Sequence, residues 1–148
     1  MSRYLEDLTV GEKRLSARVE VTEAESIEFA RRYDPQPMHI DPQAAARGPF
    51  GGLIASGWYT VALTMRLIID CAPLGPGEDV LGIGVDDVKW PHPVRPGDVL
   101  QAEIEIASIR PSESKPQFGI VKMNVTVRNQ KGEVVMTFHP NCWVPRRP

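Results

Sequence analysis

The chain has 148 residues, of which 42% are hydrophobic and 24% are charged, and its net charge is -2 at pH 7. This length and composition are typical of a globular protein with one buried core, so residues 1–148 are predicted to form a single domain. The slightly acidic balance offers no basic surface to nucleic acid, and no nucleic-acid partner is expected.

Membrane, export and metal signals are also weak. The most apolar segment, residues 53–69, carries Arg66 and is followed by Asp70, so a membrane span is not expected. The first residues lack the apolar stretch of a signal peptide. Cys71 and Cys142 lie at no metal-ligand spacing from each other or from a histidine. We therefore expect a cytoplasmic protein with reduced cysteines and no metal site.

The first elements are a strand and a helix. Residues 1–13 lead to a turn at Gly11, and alternation over residues 15–21 predicts a half-buried strand. Its predicted buried face consists of Leu15, Ala17, Val19 and Val21. Thr22 and Glu25 have the spacing of a capping box, which predicts the start of an amphipathic helix of about three turns.

The segment that follows carries two titratable side chains. Pro35 ends the first helix, because the residue before a proline is pushed out of the helical region. Pro35 and Pro37 are expected to hold the whole segment out of helix, with Asp34 and His39 five residues apart in it. Such a pair, just before a glycine-rich stretch, is a candidate for proton chemistry.

Two further helices are predicted. Residues 41–48 indicate a short helix, with Asp41 as its N-cap and a proline in the first position. A longer helix is predicted from residue 53 to about residue 70. Apolar side chains cover nearly its whole circumference, which indicates that it is buried. Residues 73–77 are predicted to form a loop.

The rest of the chain is strand-like. Strands are predicted over residues 80–90, 99–109, 118–127 and 134–144. Short turns between the last three predict an antiparallel meander. The fold class is therefore α+β, with one antiparallel sheet of about five strands curled round the long helix, since nothing else in the chain can cover that helix. The exposed edges of such a sheet make dimerisation the expected protection.

The sequence resembles the MaoC-like dehydratase and (R)-specific enoyl-CoA hydratase family, whose members have the hot-dog fold. Residues 34–41, Asp-Pro-Gln-Pro-Met-His-Ile-Asp, are similar to the family motif D-x-N-P-x-H-x-D. Residues 50–57, Phe-Gly-Gly-Leu-Ile-Ala-Ser-Gly, and the Pro-Val-Arg-Pro-Gly-Asp turn at 93–98 are further matches. One position departs from the motif, because Gln36 stands where the family has asparagine.

The resemblance implies an acyl dehydratase of fatty acid metabolism, a hydro-lyase that adds water to a trans-2-enoyl thioester or removes it from a 3-hydroxyacyl thioester. Coenzyme A or acyl carrier protein would carry the substrate, with no other cofactor. It also implies a homodimer whose two sheets form one continuous surface, and dimers could pair into larger assemblies. Family roles map onto Asp34 and His39 as the pair that holds the water, and onto the N–H of Gly57 as the group that polarises the carbonyl. Substrate contacts are predicted for Gln36, Gly52, Ser56 and Trp58.

The residue types suit this chemistry on physical grounds. A carboxylate and an imidazole at one water can act as acid and base, each typically contributing about 10²–10⁴-fold. An imidazole changes charge near neutral pH, as this work requires. Unpaired amides at a helix N-terminus suit the negative charge that develops on a carbonyl oxygen. Glycines at positions 51, 52 and 57 allow the backbone to approach a ligand closely.

Each residue taken singly also has a structural interpretation. An aspartate before a proline often caps a turn, and a lone loop histidine is usually a surface residue. As a spaced pair before a glycine-rich helix start, Asp34 and His39 favour catalysis. Two alternatives stay open: a thioesterase, in which activated water attacks the carbonyl directly, and a non-catalytic acyl-thioester-binding subunit, which the replacement by Gln36 favours.

Overall fold

The structure, a computed structural model, describes residues 3–75 and 79–148. The predicted segment 1–13 and the predicted loop 73–77 therefore fall partly outside the described residues. In chain order the elements are a 3-10 turn (Leu5–Asp7), β1 (Lys13–Glu20), α1 (Glu23–Tyr33), α2 (Pro37–Ile40), α3 (Pro42–Arg47), α4 (Gly57–Cys71), β2 (Leu81–Lys89), β3 (Val99–Pro111), β4 (Phe118–Arg128) and β5 (Val134–Pro145).

The five strands form one antiparallel sheet in the order β1-β3-β4-β5-β2. The predicted meander of β3, β4 and β5 is confirmed. The long helix α4 packs against β1 and β3. This α+β architecture, one sheet around one long helix, is the hot-dog fold. No helix within the described ranges is long and apolar enough to cross a lipid bilayer.

Alternate side chains of β3 and β4 build the core beneath α4. On β3 every second side chain from Leu100 to Ile106 is at most 1% exposed: Leu100, Ala102, Ile104 and Ile106. The inward face of β4 follows the same alternation: Val121, Met123, Val125 and Val127. A strand whose apolar positions recur every second residue buries one face, and that local period is what made these strands predictable.

The predicted buried face of the first strand is confirmed at its end, where Val19 is half-buried and Val21 is fully buried, but it is wrong for Leu15 and Ala17. Leu15 is 65% exposed, whereas Ser16 is only 4% exposed. The pairing of β1 with β3 shifts register between Leu15 and Arg18, and such an irregularity reverses the faces of the residues around it. The buried Ser16 hydroxyl accepts a hydrogen bond from the N–H of Ala102, at 2.9 Å.

Local helix signals are mostly confirmed. Thr22 caps α1 by accepting the N–H of Glu25 at 3.3 Å, and Asp41 caps α3 by accepting two backbone N–H groups. The second half of the predicted capping box does not form. The carboxylate of Glu25 accepts a hydrogen bond from the hydroxyl of Tyr59 instead, at 3.1 Å.

The long helix begins at Gly57 rather than at residue 53. The N–H of Ile54 donates to the carbonyl of Met38 at 3.1 Å, and the N–H of Ala55 donates to the carbonyl of Val94 at 2.7 Å. These two long-range bonds hold the preceding segment in a non-helical conformation between α2 and the turn before β3. The segment 53–56 is nevertheless buried, as its apolar composition indicated.

The prediction that α4 is buried all round is wrong for the single chain. Met65 is 50% exposed and Ile69 is 57% exposed. The edge strand β2 also exposes its apolar side chains: Leu81, Ile83 and Val85. The sheet covers one side of α4, and the other side adjoins this apolar edge.

Candidate active site

The end of α1 places Asp34. Its N–H closes the helix by donating to the carbonyl of Ala30 at 2.8 Å, and Pro35 prevents another turn. The segment after Asp34 was predicted to lie outside helix. That prediction is wrong for one helical turn, Pro37–Ile40, which forms α2. Proline is tolerated in the first position of a helix, because the N–H it lacks would be unpaired there. This turn carries His39.

Burial and one hydrogen bond fix the tautomer of His39. The side chain is largely buried, and Nδ1 lies 2.8 Å from the carbonyl oxygen of Ile54. A carbonyl can only accept, so Nδ1 carries the proton and donates it. In the neutral ring the lone pair is therefore on Nε2, which lies 3.4 Å from Oδ2 of Asp34. His39 is thus oriented to accept a proton at Nε2.

Two acceptor atoms consequently face each other across 3.4 Å when His39 is neutral. This arrangement is favourable only when a proton donor bonds to one or both atoms. The donor is either a water molecule or, in the imidazolium form, the N–H of Nε2 itself. A gap of 3.4 Å is too short for a water between the atoms, since each hydrogen bond needs about 2.7–3 Å. A shared water would lie beside the pair, on the cleft side.

Both oxygens of the Asp34 carboxylate accept hydrogen bonds. Nε2 of Gln36 donates to Oδ1 at 2.7 Å, and the hydroxyl of Ser56 donates to Oδ2 at 2.7 Å. These bonds, first that from Gln36 and then that from Ser56, lower the pKa of Asp34, and the charge of His39 adds to them while burial opposes them. Asp34 is therefore ionised at neutral pH. The longer side chain of Gln36 still supports the carboxylate.

The N-terminus of α4 lies next to this pair. Ser56 is its N-cap, and the Ser56 hydroxyl accepts the N–H of Trp58 at 3.3 Å. Within the described part of the chain, the N–H of Gly57 has no hydrogen-bond acceptor. Nε1 of Trp90 donates to the carbonyl of Gly57 at 3.1 Å, so the indole packs on the glycine. The first turn of α4 thus presents a free amide at its positive end.

A cleft of about 490 Å³ opens over these groups. Four of the predicted site residues line it: Asp34, His39, Gly57 and Trp58. The remaining lining includes five rings that the sequence did not single out as site residues: Phe50, Trp90, Pro91, His92 and Pro93. Nothing in the sequence around Trp90 distinguishes it from a core tryptophan, because its partner, Gly57, is 33 positions away.

Three predicted substrate contacts do not line the cleft: Gln36, Gly52 and Ser56. Gln36 and Ser56 are engaged with Asp34, and Ser56 has no exposed surface. Gly52 lies beside the guanidinium of Arg95, where a Cβ would be 3.4 Å from Nη1. Among residues 3–75 and 79–148, no cluster of three His, Cys, Asp or Glu side chains has the arrangement of a metal site.

Comparison with known proteins identifies the family of the chain. Residues 7–129 match the MaoC like domain family. A MaoC-like dehydratase from Rhodospirillum rubrum has a crystal structure similar to this one, with a TM-score of 0.88, 44% sequence identity and 98% of both chains covered. The R-hydratase PhaJ1 from Pseudomonas aeruginosa gives a TM-score of 0.81 at 28% identity, over 99% of this chain and 88% of that chain. A 3-hydroxybutyryl-CoA dehydratase from Methylorubrum extorquens is 32% identical over 113 residues, 76% of this chain and 69% of the relative. The chain belongs to the MaoC-like dehydratase family.

Proposed function

We propose that the protein is an (R)-specific enoyl-CoA hydratase or acyl dehydratase, a hydro-lyase that interconverts trans-2-enoyl and 3-hydroxyacyl thioesters. The observation that carries the proposal is the pair of facing acceptors, Nε2 of His39 and Oδ2 of Asp34, 3.4 Å apart at the wall of a cleft. When His39 is neutral and Asp34 is ionised, neither atom can donate, so the pair requires a proton donor beside it in the cleft. Water, the co-substrate of hydration, supplies one.

In the direction of hydration, Nε2 of His39 takes a proton from this water as the water oxygen bonds to C3 of the enoyl group. The C2=C3 electron pair shifts towards the thioester carbonyl, which gains negative charge. C2 then takes the proton from the imidazolium, which restores the neutral ring. Dehydration is the same sequence in reverse. The overall step balances: the oxygen and one hydrogen of the water end on C3, and the other hydrogen ends on C2.

Asp34 stabilises the imidazolium rather than exchanging the proton itself. Its two hydrogen-bond donors, Gln36 and Ser56, favour the ionised form. A carboxylate 3.4 Å from the ring favours the charge that His39 acquires during the reaction. The free N–H of Gly57, at the positive end of α4, is the donor we assign to the carbonyl oxygen, and losing such a donor costs about 3–4 kcal/mol in comparable sites.

Two relatives support the substrate class. One is named as a dehydratase of 3-hydroxybutyryl-CoA and another as an R-hydratase. We therefore propose a thioester carried on coenzyme A or acyl carrier protein as the substrate.

We also propose that the protein is a homodimer. The exposed apolar side chains of β2 adjoin those of α4, and β2 is an unpaired edge of the sheet. A second copy added at this edge would pair the free backbone groups and cover both sets of side chains. Sedimentation velocity on the wild type and on Val85→Lys tests this, because a buried lysine at the edge should shift the protein towards the monomer.

The test of the reaction is loss of enoyl absorbance from crotonyl-CoA with water as the only co-substrate. Asp34→Asn and His39→Ala are expected to lower kcat/KM by about 10²–10⁴-fold. Asp41→Asn is the matched control, because it changes a carboxylate in the same motif while asparagine can still cap α3.

The outcomes separate the alternatives. Full activity in both Asp34→Asn and His39→Ala would contradict the assignment. Release of free thiol without a hydrated product would identify a thioesterase. Binding of the thioester without either product would identify a non-catalytic subunit. The contact between Gln36 and Asp34 speaks against this last outcome, since the replaced motif residue still holds the carboxylate in place.

A further inference from the structure

Ser56 connects two parts of the site through one buried hydroxyl. Its side chain has no exposed surface. The hydroxyl donates to Oδ2 of Asp34 at 2.7 Å and accepts the N–H of Trp58 at 3.3 Å. A helix cap alone would account for a serine at this position. The short bond to a carboxylate 22 residues earlier in the chain is a separate contact, which capping does not require.

We propose that Ser56 is a positioning residue, whose hydroxyl holds the Asp34 carboxylate against the start of α4 with Oδ2 directed at Nε2 of His39. The inference rests on the proposed function for its catalytic consequence. It departs from the sequence prediction, in which Ser56 contacts the substrate, because a fully buried hydroxyl with both bonds made within the protein is not available to a ligand.

The two donors to Asp34 are not equivalent. Gln36 reaches Oδ1 in an exposed contact, where water can replace the amide. Ser56 reaches Oδ2 from a side chain with no exposed surface, in a contact that is part-buried. The same oxygen, Oδ2, is the one 3.4 Å from His39. The orientation of the oxygen that faces the imidazole therefore depends on Ser56 more than on Gln36.

Two titratable groups besides Asp34 face this region, and both bear on a measurement of pH dependence. His39, on α2, is the nearer, and its charge acts on Asp34. His92 also lines the cleft and pairs with Glu133 at 3.2 Å. A site-resolved titration of Asp34 is thus needed beside the pH profile of the reaction.

The experiment compares Ser56→Ala and Ser56→Cys with Thr22→Ala. Removing a hydrogen bond to a charged group should lower kcat about tenfold or more in Ser56→Ala. The protonation profile of the Asp34 carboxyl should move to higher pH, because a carboxylate that loses a donor protonates more readily. Thr22→Ala is the matched control: it removes the cap oxygen of α1, which does not contact Asp34, and should lower stability without moving the profile.

Carbon-13 NMR of the Asp34 carboxyl gives a readout independent of turnover. In Ser56→Ala its titration midpoint should rise relative to the wild type. An unchanged midpoint and an unchanged kcat in Ser56→Ala would overturn the proposal and leave Ser56 as a helix cap only. Should Ser56→Ala fail to fold, Ser56→Cys, nearly equal in size but a weak donor, is judged by the same two measurements. The wild type could hydrate no enoyl thioester while the Asp34 midpoint still rises in Ser56→Ala. That result would refute the proposed function and not the contact.

Discussion

Replacing Gly57 with alanine should destabilise the protein, although the same change usually stabilises a helix. Alanine is favoured over glycine in a helix by up to about 1 kcal/mol. Gly57 is the first residue of α4 and does not have a positive φ, so its backbone conformation suits alanine. An effect of the opposite sign must come from what the added methyl group meets.

That obstacle is the indole of Trp90. A Cβ on Gly57 would lie 2.6 Å from Cε2 and 2.9 Å from both Cζ2 and Nε1. These separations are well inside the usual contact of about 3.5–4.0 Å between non-bonded heavy atoms. The ring must move and lose its hydrogen bond to the Gly57 carbonyl, at about 1 kcal/mol, and the overpacking itself costs about 1–3 kcal/mol. After the gain in helix propensity is subtracted, the net loss is about 1–3 kcal/mol.

Urea denaturation of four proteins tests this: the wild type, Gly57→Ala, Trp90→Ala and the double variant. Gly57→Ala should lower the free energy of unfolding by about 1–3 kcal/mol when Trp90 is present. In the Trp90→Ala background it should be neutral or stabilising by up to about 1 kcal/mol. The reasoning is refuted if the change has the same cost in both backgrounds, or if it stabilises the protein that retains Trp90.

Two further predictions concern other parts of the fold. Ala72, which ends α4, has a left-handed φ of 47°, a conformation that costs a non-glycine residue about 1–2 kcal/mol. Ala72→Gly should therefore raise the melting temperature, whereas Ala62→Gly, at an exposed position inside α4, should lower it; a fall in both would contradict the explanation. Burial, and then the bond and charge of Glu25, raise the pKa of Tyr59 to about 12. Because the folded state keeps this proton longer than the unfolded state, its contribution to stability is present below about pH 10 and is lost as the pH rises towards about 12. In an absorbance titration the Tyr59 phenolate should form with a midpoint near pH 12 in the wild type and at a lower pH in Glu25→Gln. A Tyr59 midpoint near 10 in the native wild type would show that neither burial nor Glu25 acts as described.

The predicted caps of α1 and α3 agree with the structure. Thr22 and Asp41 cap their helices as their local sequences indicate, because a cap side chain binds amides only two or three residues away. The alternation in β3 likewise reflects burial of every second residue. Local signals were insufficient for β1, since the register shift near Leu15 is set by pairing with β3, a strand distant in sequence.

In the candidate site, too, local features were predictable from the sequence and long-range contacts were not. Asp34 and His39 were identifiable because their spacing within one short segment matches a motif. The tautomer of His39 was not, because it depends on the carbonyl of Ile54, 15 residues away. The roles of Ser56 and of Trp90 likewise arise from contacts 22 and 33 positions apart in the chain.

The sequence by itself thus determined the family, the α+β class and the sheet meander, and it singled out Asp34 and His39 as the candidate pair, since each of these depends on patterns among consecutive residues. Only the tertiary structure decided where α4 begins, which side of it stays uncovered, and which groups hold each oxygen of Asp34. Those properties depend on hydrogen bonds and packing between segments that the fold alone brings together, and periodicity within a segment carries no information about them.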